Sequence, residues 1–359
     1  MELNMANYSA TYIHRFIMHQ EAREERTYPF GAYPNGWYVL ANSTEIKVGD
    51  VKPFHYFGKD VVIYRGRNHK AHIVDAYCPH LGAHLGHGGT GIVGNNLRCP
   101  FHHWQFDESG KCVEVPYSEP QPKACLTHWP MVEKNGQILT YFSADGSAPP
   151  CDVPEVPELQ GDKVKGWSPS HFSKFEYSAH VQEVVENIVD LGHFIPIHNV
   201  EEIPKVEELT FDGPRATLRY TTKNKVLGKI FNAALHLEYY GPSYTVVRVR
   251  SMTNVVLIAS MVPTSKGKVR HRFHFRMKNM NPLINKIMLI IMAKQIEHDF
   301  LGDLPIWEHK IYREHPKLCK NEGGIMKMRK WFKQFYTDTS KTESKPVTNS
   351  KSIQLQEVR

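Results

Sequence analysis

Two short stretches hold side chains whose types and spacing suit metal chemistry. "AYCPHLGAHLGHGG" (76–89) contains Cys78 and His80, and "CPFHHWQF" (99–106) contains Cys99 and His102. Two thiolates and two imidazoles are the donor set of a tetrahedral zinc site, but zinc modules usually draw Cys-x-x-Cys pairs from one place and His pairs from another. Here each loop supplies one Cys and one His. That mixture suits a [2Fe–2S] centre in which two thiolates hold one iron and two imidazoles the other, so that each loop feeds both irons. Glycines 82, 86, 88 and 89 suit tight turns that bring backbone amides close to a cluster. His84, His87 and His103 are left as exposed or hydrogen-bonded histidines, and Cys112, Cys125, Cys151 and Cys319 as buried free thiols.

A second constellation lies far downstream. "NIVDLGHFIPIHN" places His193 and His198 five apart, a spacing that would diverge on one continuous helix; Pro196 is expected to break the helix and let both imidazoles turn to one point. Two His and one carboxylate with open positions form the facial triad of non-haem Fe(II) oxygenases. "QIEHDFLGDLPIWEHK" offers Asp299 and Asp303 on one helix face as the third ligand. Asp190, one turn before His193, is placed to hydrogen-bond a ligand imidazole or else to stand as a surface acid.

These residues need scaffolds. From Trp37 to about Phe142, short runs such as "WYVLA", "VVIYRG", "HIVDAYC" and "QILTYF", punctuated by Gly, Pro and Asn, predict a small all-β domain. The Pro-rich joint "GSAPPCDVPEVPEL" marks a boundary, giving a lead-in over 1–36, a first domain over 37–145, a second over 146–336 and a polar, disordered tail over 337–359. In the second domain, 180–194 has helical spacing and several strand-like runs follow. "VRHRFHFRM" alternates Val269, His271, Phe273, Phe275 and Met277 with arginines and His274, as a half-buried antiparallel strand would. A long helix is expected over 283–315.

Composition narrows the class. The chain has 359 residues, 41% hydrophobic and 23% charged, so a folded protein of roughly two domains is expected. A formal charge of +7 comes from dispersed Lys and Arg without a nucleic-acid motif, which fits an acidic redox partner or an anionic membrane surface better than nucleic acid. The first thirty residues lack the apolar core of a secretory signal, and the longest apolar run, "IMLIIMA" (287–293), is too short to span a bilayer. A cytoplasmic protein with at most peripheral membrane contact is predicted.

With both constellations in view, the chain resembles the Rieske non-haem iron oxygenases. The resemblance runs from about Gly36 to Tyr336 and is strongest to the steroid branch, through "CPFHHWQFDESGKCVEVPYSE", "ENIVDLGHFIPIH" and "DLPIWEHKIYREHPKLC". The cholesterol 7-desaturases of the Neverland type look most similar, with the oxygenase components of 3-ketosteroid 9α-hydroxylases close behind. The resemblance implies an α+β architecture, a Rieske all-β [2Fe–2S] domain followed by a helix-grip catalytic domain whose curved antiparallel sheet encloses an apolar cavity. It implies that Cys78 and Cys99 bind one cluster iron, His80 and His102 the other, and His193, His198 and Asp303 a mononuclear Fe(II). Asp303 is preferred to Asp299 because the family's ligand Asp stands three residues before an Ile-Trp pair, here Ile306-Trp307. Asp190 would bridge His193 to His102 of a neighbouring copy in a homotrimer. The implied activity is an oxidoreductase reaction on a sterol, C7–C8 desaturation of cholesterol, using O2 and NAD(P)H electrons through a reductase or ferredoxin. The alternatives are steroid hydroxylation, or a Rieske electron carrier or lipid-binding protein without oxygenase activity. The membrane helix of the animal desaturases is not found in this sequence.

Overall fold

The computed structural model describes residues 28–337 apart from 162, 199, 227–228 and 280–281. The expected lead-in up to residue 27 and the expected tail from 338 lie outside the described residues.

The first half is built from three small antiparallel sheets. Strands β1 (Gly36–Asn42), β2 (Val51–Tyr56), β3 (Lys59–Arg65), β4 (Ala71–Asp75), β5 (Gly91–Val93), β6 (Asn96–Arg98), β7 (Gln105–Phe106), β8 (Cys112–Glu114), β9 (Met131–Lys134) and β10 (Gln137–Phe142) pair in the orders β1-β10-β9, β2-β3-β4 and β5-β6-β7-β8. β1 is buried along its whole length and β10 up to its last residue, as β-branched and aromatic runs between two packed layers should be. The loop after β4 and the turn between β6 and β7 carry the two Cys/His pairs.

The second half is one sheet of β11 (His171–Ser178), β12 (Lys205–Asp212), β13 (Arg215–Val226), β14 (Lys229–Tyr240), β15 (Tyr244–Arg250), β16 (Asn254–Ser265) and β17 (Lys268–Met277), in the order β11-β17-β16-β15-β14-β13-β12. Helices α1 (Val181–Asn187) and α2 (Phe194–His198) connect β11 to β12, and α3 (Pro282–Trp307) and α4 (Gly323–Phe332) follow the sheet. Along α3, Met288, Leu289, Met292 and Ile296 pack on Val255, Phe275 and Met277, and further on Phe300, Leu304 and Trp307 enter the core with Tyr177 and Phe273. Within the described residues no helix is long and apolar enough to cross a membrane.

Three expectations are corrected. β17 is buried on both faces, because its arginine face is covered by the first domain and by the segment 158–170: Arg272 donates to Glu45 Oε2 at 2.9 Å and to the Leu40 carbonyl at 2.9 Å, Arg270 donates to Tyr56 Oη at 3.0 Å, and Arg276 donates to Ser170 Oγ at 2.8 Å. The main-chain bonds Phe57 N to Pro263 O and Gly58 N to Thr264 O join the same domains. The long helix stops at Trp307 rather than 315, just after Pro305 in its last turn. Finally, of the four remaining cysteines only Cys112 is buried; Cys125 and Cys319 are exposed and Cys151 is intermediate.

Candidate metal centres

Cys78 and Cys99 are almost inaccessible, at 4% and 1% exposure, and neither forms a disulfide. Each sits where a tight loop turns its amides inward: main-chain N–H groups of His80 aim at Cys78, and those of Phe101 and His102 at Cys99. The neighbouring Cys99 and burial push the Cys78 thiol up, while Cys78 and the main-chain N–H groups of Phe101 and His102 lower Cys99 to about 6. Positive φ angles at Gly82 (73°) and Gly88 (75°) let the chain reverse around the site, a conformation costly for residues with a Cβ. His80 and His102 approach with ring centroids 4.7 Å apart. His80 stacks on Trp104 at 4.3 Å, and Trp104 Nε1 donates to Tyr117 Oη at 2.9 Å, which fixes the imidazole plane. His84 instead accepts from Gly86 N at 3.0 Å, while His87 and His103 are exposed.

The second site lies at the junction of α1, α2 and α3. His180 caps α1, its ring accepting from Gln182 N, and the helix ends at Asn187. The helix therefore breaks at 188–190, upstream of the expected position; Pro196 sits in the first turn of α2, where its missing N–H has no intrahelical partner to lose. The break achieves the convergence: His193 Nε2 and His198 Nε2 are 3.1 Å apart, and Asp303 Oδ1 and Oδ2 lie 3.7 and 3.5 Å from them. Gly302 permits this approach, since a Cβ there would stand 3.2 Å from Ile197 Cγ2. His193 Nδ1 donates to the Asp190 main-chain carbonyl, leaving Nε2 to face the site; the Asp190 carboxylate stays 3.9 Å away and more than a third exposed. Asp299, one turn before Asp303, accepts from Gln295 Nε2 at 2.7 Å.

Electrostatics separates the two imidazoles. Burial pushes both towards the neutral form. At His198 burial is the largest influence, but the hydrogen bond to Asp303 and the charges of Asp303 and Asp299 together outweigh it and the net direction is up, whereas at His193 burial wins and the direction is down. Burial raises the Asp299 carboxyl. Asn187, which sequence reasoning passed over, places Nδ2 3.1 Å from His193 Nε2. Behind it, Glu186 and Arg329 form a two-point ion pair at 2.6 and 2.8 Å, tying α1 to α4.

The donor atoms of His193, His198 and Asp303 lie 3.1–3.7 Å from one another, separations that atoms about 2.1 Å from one shared ion can take. Among the described residues this is the only such group.

A mixed thiolate–imidazole site on a small β domain, joined to a large antiparallel sheet with a two-histidine, one-carboxylate site, is the donor arrangement of a redox protein with two metal centres. Residues 36–130 match the Rieske [2Fe-2S] domain, and residues 140–336 match the 3-ketosteroid 9alpha-hydroxylase C-terminal domain. Cholesterol 7-desaturase of Bombyx mori is 31% identical over 86% of this chain and 70% of its own length. A 3-ketosteroid-9-alpha-monooxygenase oxygenase component of Rhodococcus rhodochrous is 29% identical over 87% and 85%. Dicamba monooxygenase bound to dicamba superposes with a TM-score of 0.69 at 16% identity, covering 85% of this chain and 98% of that one, which shows the shared fold. The chain belongs to the Rieske oxygenase family, in the branch that carries the 3-ketosteroid 9α-hydroxylase C-terminal domain. It is an oxidoreductase with a Rieske [2Fe–2S] cluster and a mononuclear iron site.

Proposed function

We propose that this chain is a Rieske sterol oxygenase that desaturates cholesterol at C7–C8, giving 7-dehydrocholesterol, with O2 and electrons delivered from NAD(P)H by a reductase or ferredoxin. The observation that supports it most is the convergence of His193, His198 and Asp303 within 4.8 Å, on a chain about 30% identical to cholesterol 7-desaturases. In this reading Cys78 and Cys99 hold one cluster iron, His80 and His102 the other, and His193, His198 and Asp303 the mononuclear iron. When bound, these centres supply the one-electron and O2 chemistry that side chains lack.

The protein's own residues supply position. The Asp190 carbonyl fixes the His193 tautomer, so that Nε2 carries the lone pair and faces the site. Asn187 holds an amide beside His193 Nε2, where it would orient a polar group at the metal position. Tyr177, Phe273, Phe300 and Trp307 pack as an apolar core around the end of α3 that carries Asp303, which keeps water from that side of the site. Asp190, whose carboxylate is partly exposed, bridges His193 to His102 of a neighbouring copy in a homotrimer. The cellular setting proposed is the cytoplasm, with peripheral membrane contact.

Reconstitution with a surrogate reductase, NADH, O2 and cholesterol tests the reading by mass spectrometry of the products. A product lighter by two hydrogens, with its double bond located at C7, is expected. A product heavier by one oxygen atom would replace desaturation with hydroxylation, the second reading, favoured by the match over 140–336. No conversion by an iron-loaded protein would overturn the cholesterol assignment.

A further inference from the structure

The outer face of α3 is apolar where solvent should meet it. Helices on protein surfaces normally turn charged residues outward, and a helix apolar on all sides is normally covered. Over its first turns α3 packs Met288, Leu289, Met292 and Ala293 inward, yet Ile287, Ile290 and Ile291 stand outward at 59%, 48% and 40% exposure. At 100° per residue these three fall on one stripe with Lys294, His298 and Leu301, all exposed.

The border of this stripe is basic. Between Met277 and Ile296 the sequence holds Lys278, Lys286 and Lys294 and no carboxylate, and all three lysines are exposed. The segment with exposed Lys163 and Lys165 lies beside the start of α3, joined through the Trp167–Lys278 bridge and the bond from Asn279 N to Gly166 O at 2.8 Å. The neighbouring turn, anchored by Thr253 Oγ1 to Lys278 O at 3.0 Å, adds a further exposed apolar side chain, Met252, at 42%.

Apolar side chains ringed by lysines match a lipid surface whose headgroups are anionic: the isoleucines enter the acyl boundary and the lysines remain at headgroup level. We infer that the outer face of α3, led by Ile287, Ile290 and Ile291 and bordered by Lys278, Lys286 and Lys294, docks this protein on an anionic lipid bilayer. The helix lies in the plane of the interface and does not cross it. The same helix carries Asp303 at its far end, so docking sets the second site beside the phase in which a sterol dissolves. The inference rests on the sterol reading for its purpose, while its geometry stands independently.

The test is co-sedimentation of the full-length holoenzyme with sucrose-loaded phosphatidylcholine vesicles, with and without phosphatidylserine. The native chain is expected to bind the anionic vesicles. The variant Ile287→Ser/Ile290→Ser/Ile291→Ser should partition at least about tenfold more weakly, and Lys286→Glu/Lys294→Glu should abolish the preference for anionic lipid. All five positions are exposed, so both variants should keep the native circular dichroism and the conversion of sterol delivered on cyclodextrin. Absence of vesicle binding by the native chain, or binding unchanged in the isoleucine variant, overturns the inference. A change in sedimenting mass of that variant with unchanged vesicle binding would also overturn it, assigning the face to a second copy. If no sterol is converted from any carrier while vesicle binding still depends on the isoleucines, the substrate reading fails and the docking face stands.

Discussion

The two candidate iron sites are built by different means. The four donors of the first fall between residues 78 and 102, and the loops that hold them are shaped by their own backbone amides and glycines. The three donors of the second come from residues 193, 198 and 303 and meet only because α1, α2 and α3 pack against one sheet. The first is local architecture. The second is a product of the whole domain, and it should respond to changes far from the metal that leave the first untouched.

The largest effect is expected from Cys78→Ala, which removes a buried thiolate from the cluster side. The visible absorption of the [2Fe–2S] group and about two of three irons should be lost, and turnover should fall to background. Absorption retained in the variant would break the assignment of Cys78, and turnover persisting with the absorption gone would break the role of the cluster in supplying electrons. Asp303→Ala should do the converse, emptying the mononuclear position and abolishing product while the cluster absorption is kept. Asp299→Ala should retain that iron, because its carboxylate is engaged by Gln295; if iron follows Asp299 instead, the ligand assignment is wrong.

Next in size is a substitution away from both metals. Arg329→Met leaves Glu186 charged and buried without its partner, a change worth about 3–5 kcal/mol, or roughly a 10 °C loss in melting temperature. Since the pair ties α1 to α4 behind Asn187 and Asp190, mononuclear iron affinity should fall with it while the cluster spectrum is unchanged. The double variant Glu186→Gln/Arg329→Met should recover part of the loss. Equal damage to both centres would remove the distinction between a local and a domain-dependent site.

The same distinction explains what the sequence could reveal. Cys78, His80, Cys99 and His102 stood out because cluster chemistry and sequence spacing coincide in short loops. His193 and His198 were legible as a pair, but the break that turns them together lies at 188–190, where Val189 packs into the core and no proline announces it. Asn187 looks like any helix-end polar residue, and only the folded chain shows its amide 3.1 Å from His193. The alternation in β17 correctly indicated a strand but suggested an open arginine face. The ions that cover that face, Glu45 and Glu176, lie far away in sequence, so no local pattern could report them.

The smallest effect concerns acid. His180 caps α1 and is buried against Tyr28, Phe30 and Tyr336, with Nε2–H donating to the Gly31 carbonyl at 3.1 Å. Burial lowers its pKa to about 4, partly opposed by that carbonyl and by Ala32, and burial likewise lowers His271 and His274 to about 3. An unfolded chain protonates these rings near the ordinary value of about 6.5. Their contribution is therefore fully present above pH 6.5 and is lost as pH falls towards 4, because in that window the unfolded state binds protons that the folded state refuses. Each such histidine steepens the loss by up to about 1.4 kcal/mol per pH unit. All three belong to the domain that assembles the mononuclear site, so acid should weaken that half through protons taken up on unfolding. His180→Asn keeps a side-chain acceptor at the cap and removes the titrating group. Denaturant titrations between pH 4 and 6.5 should show the slope reduced by about one proton, with stability at pH 8 changed by less than about 1 kcal/mol. An unchanged slope would mean that His180 opens to water before the domain unfolds, and that the cap behind the second site is looser than its packing implies.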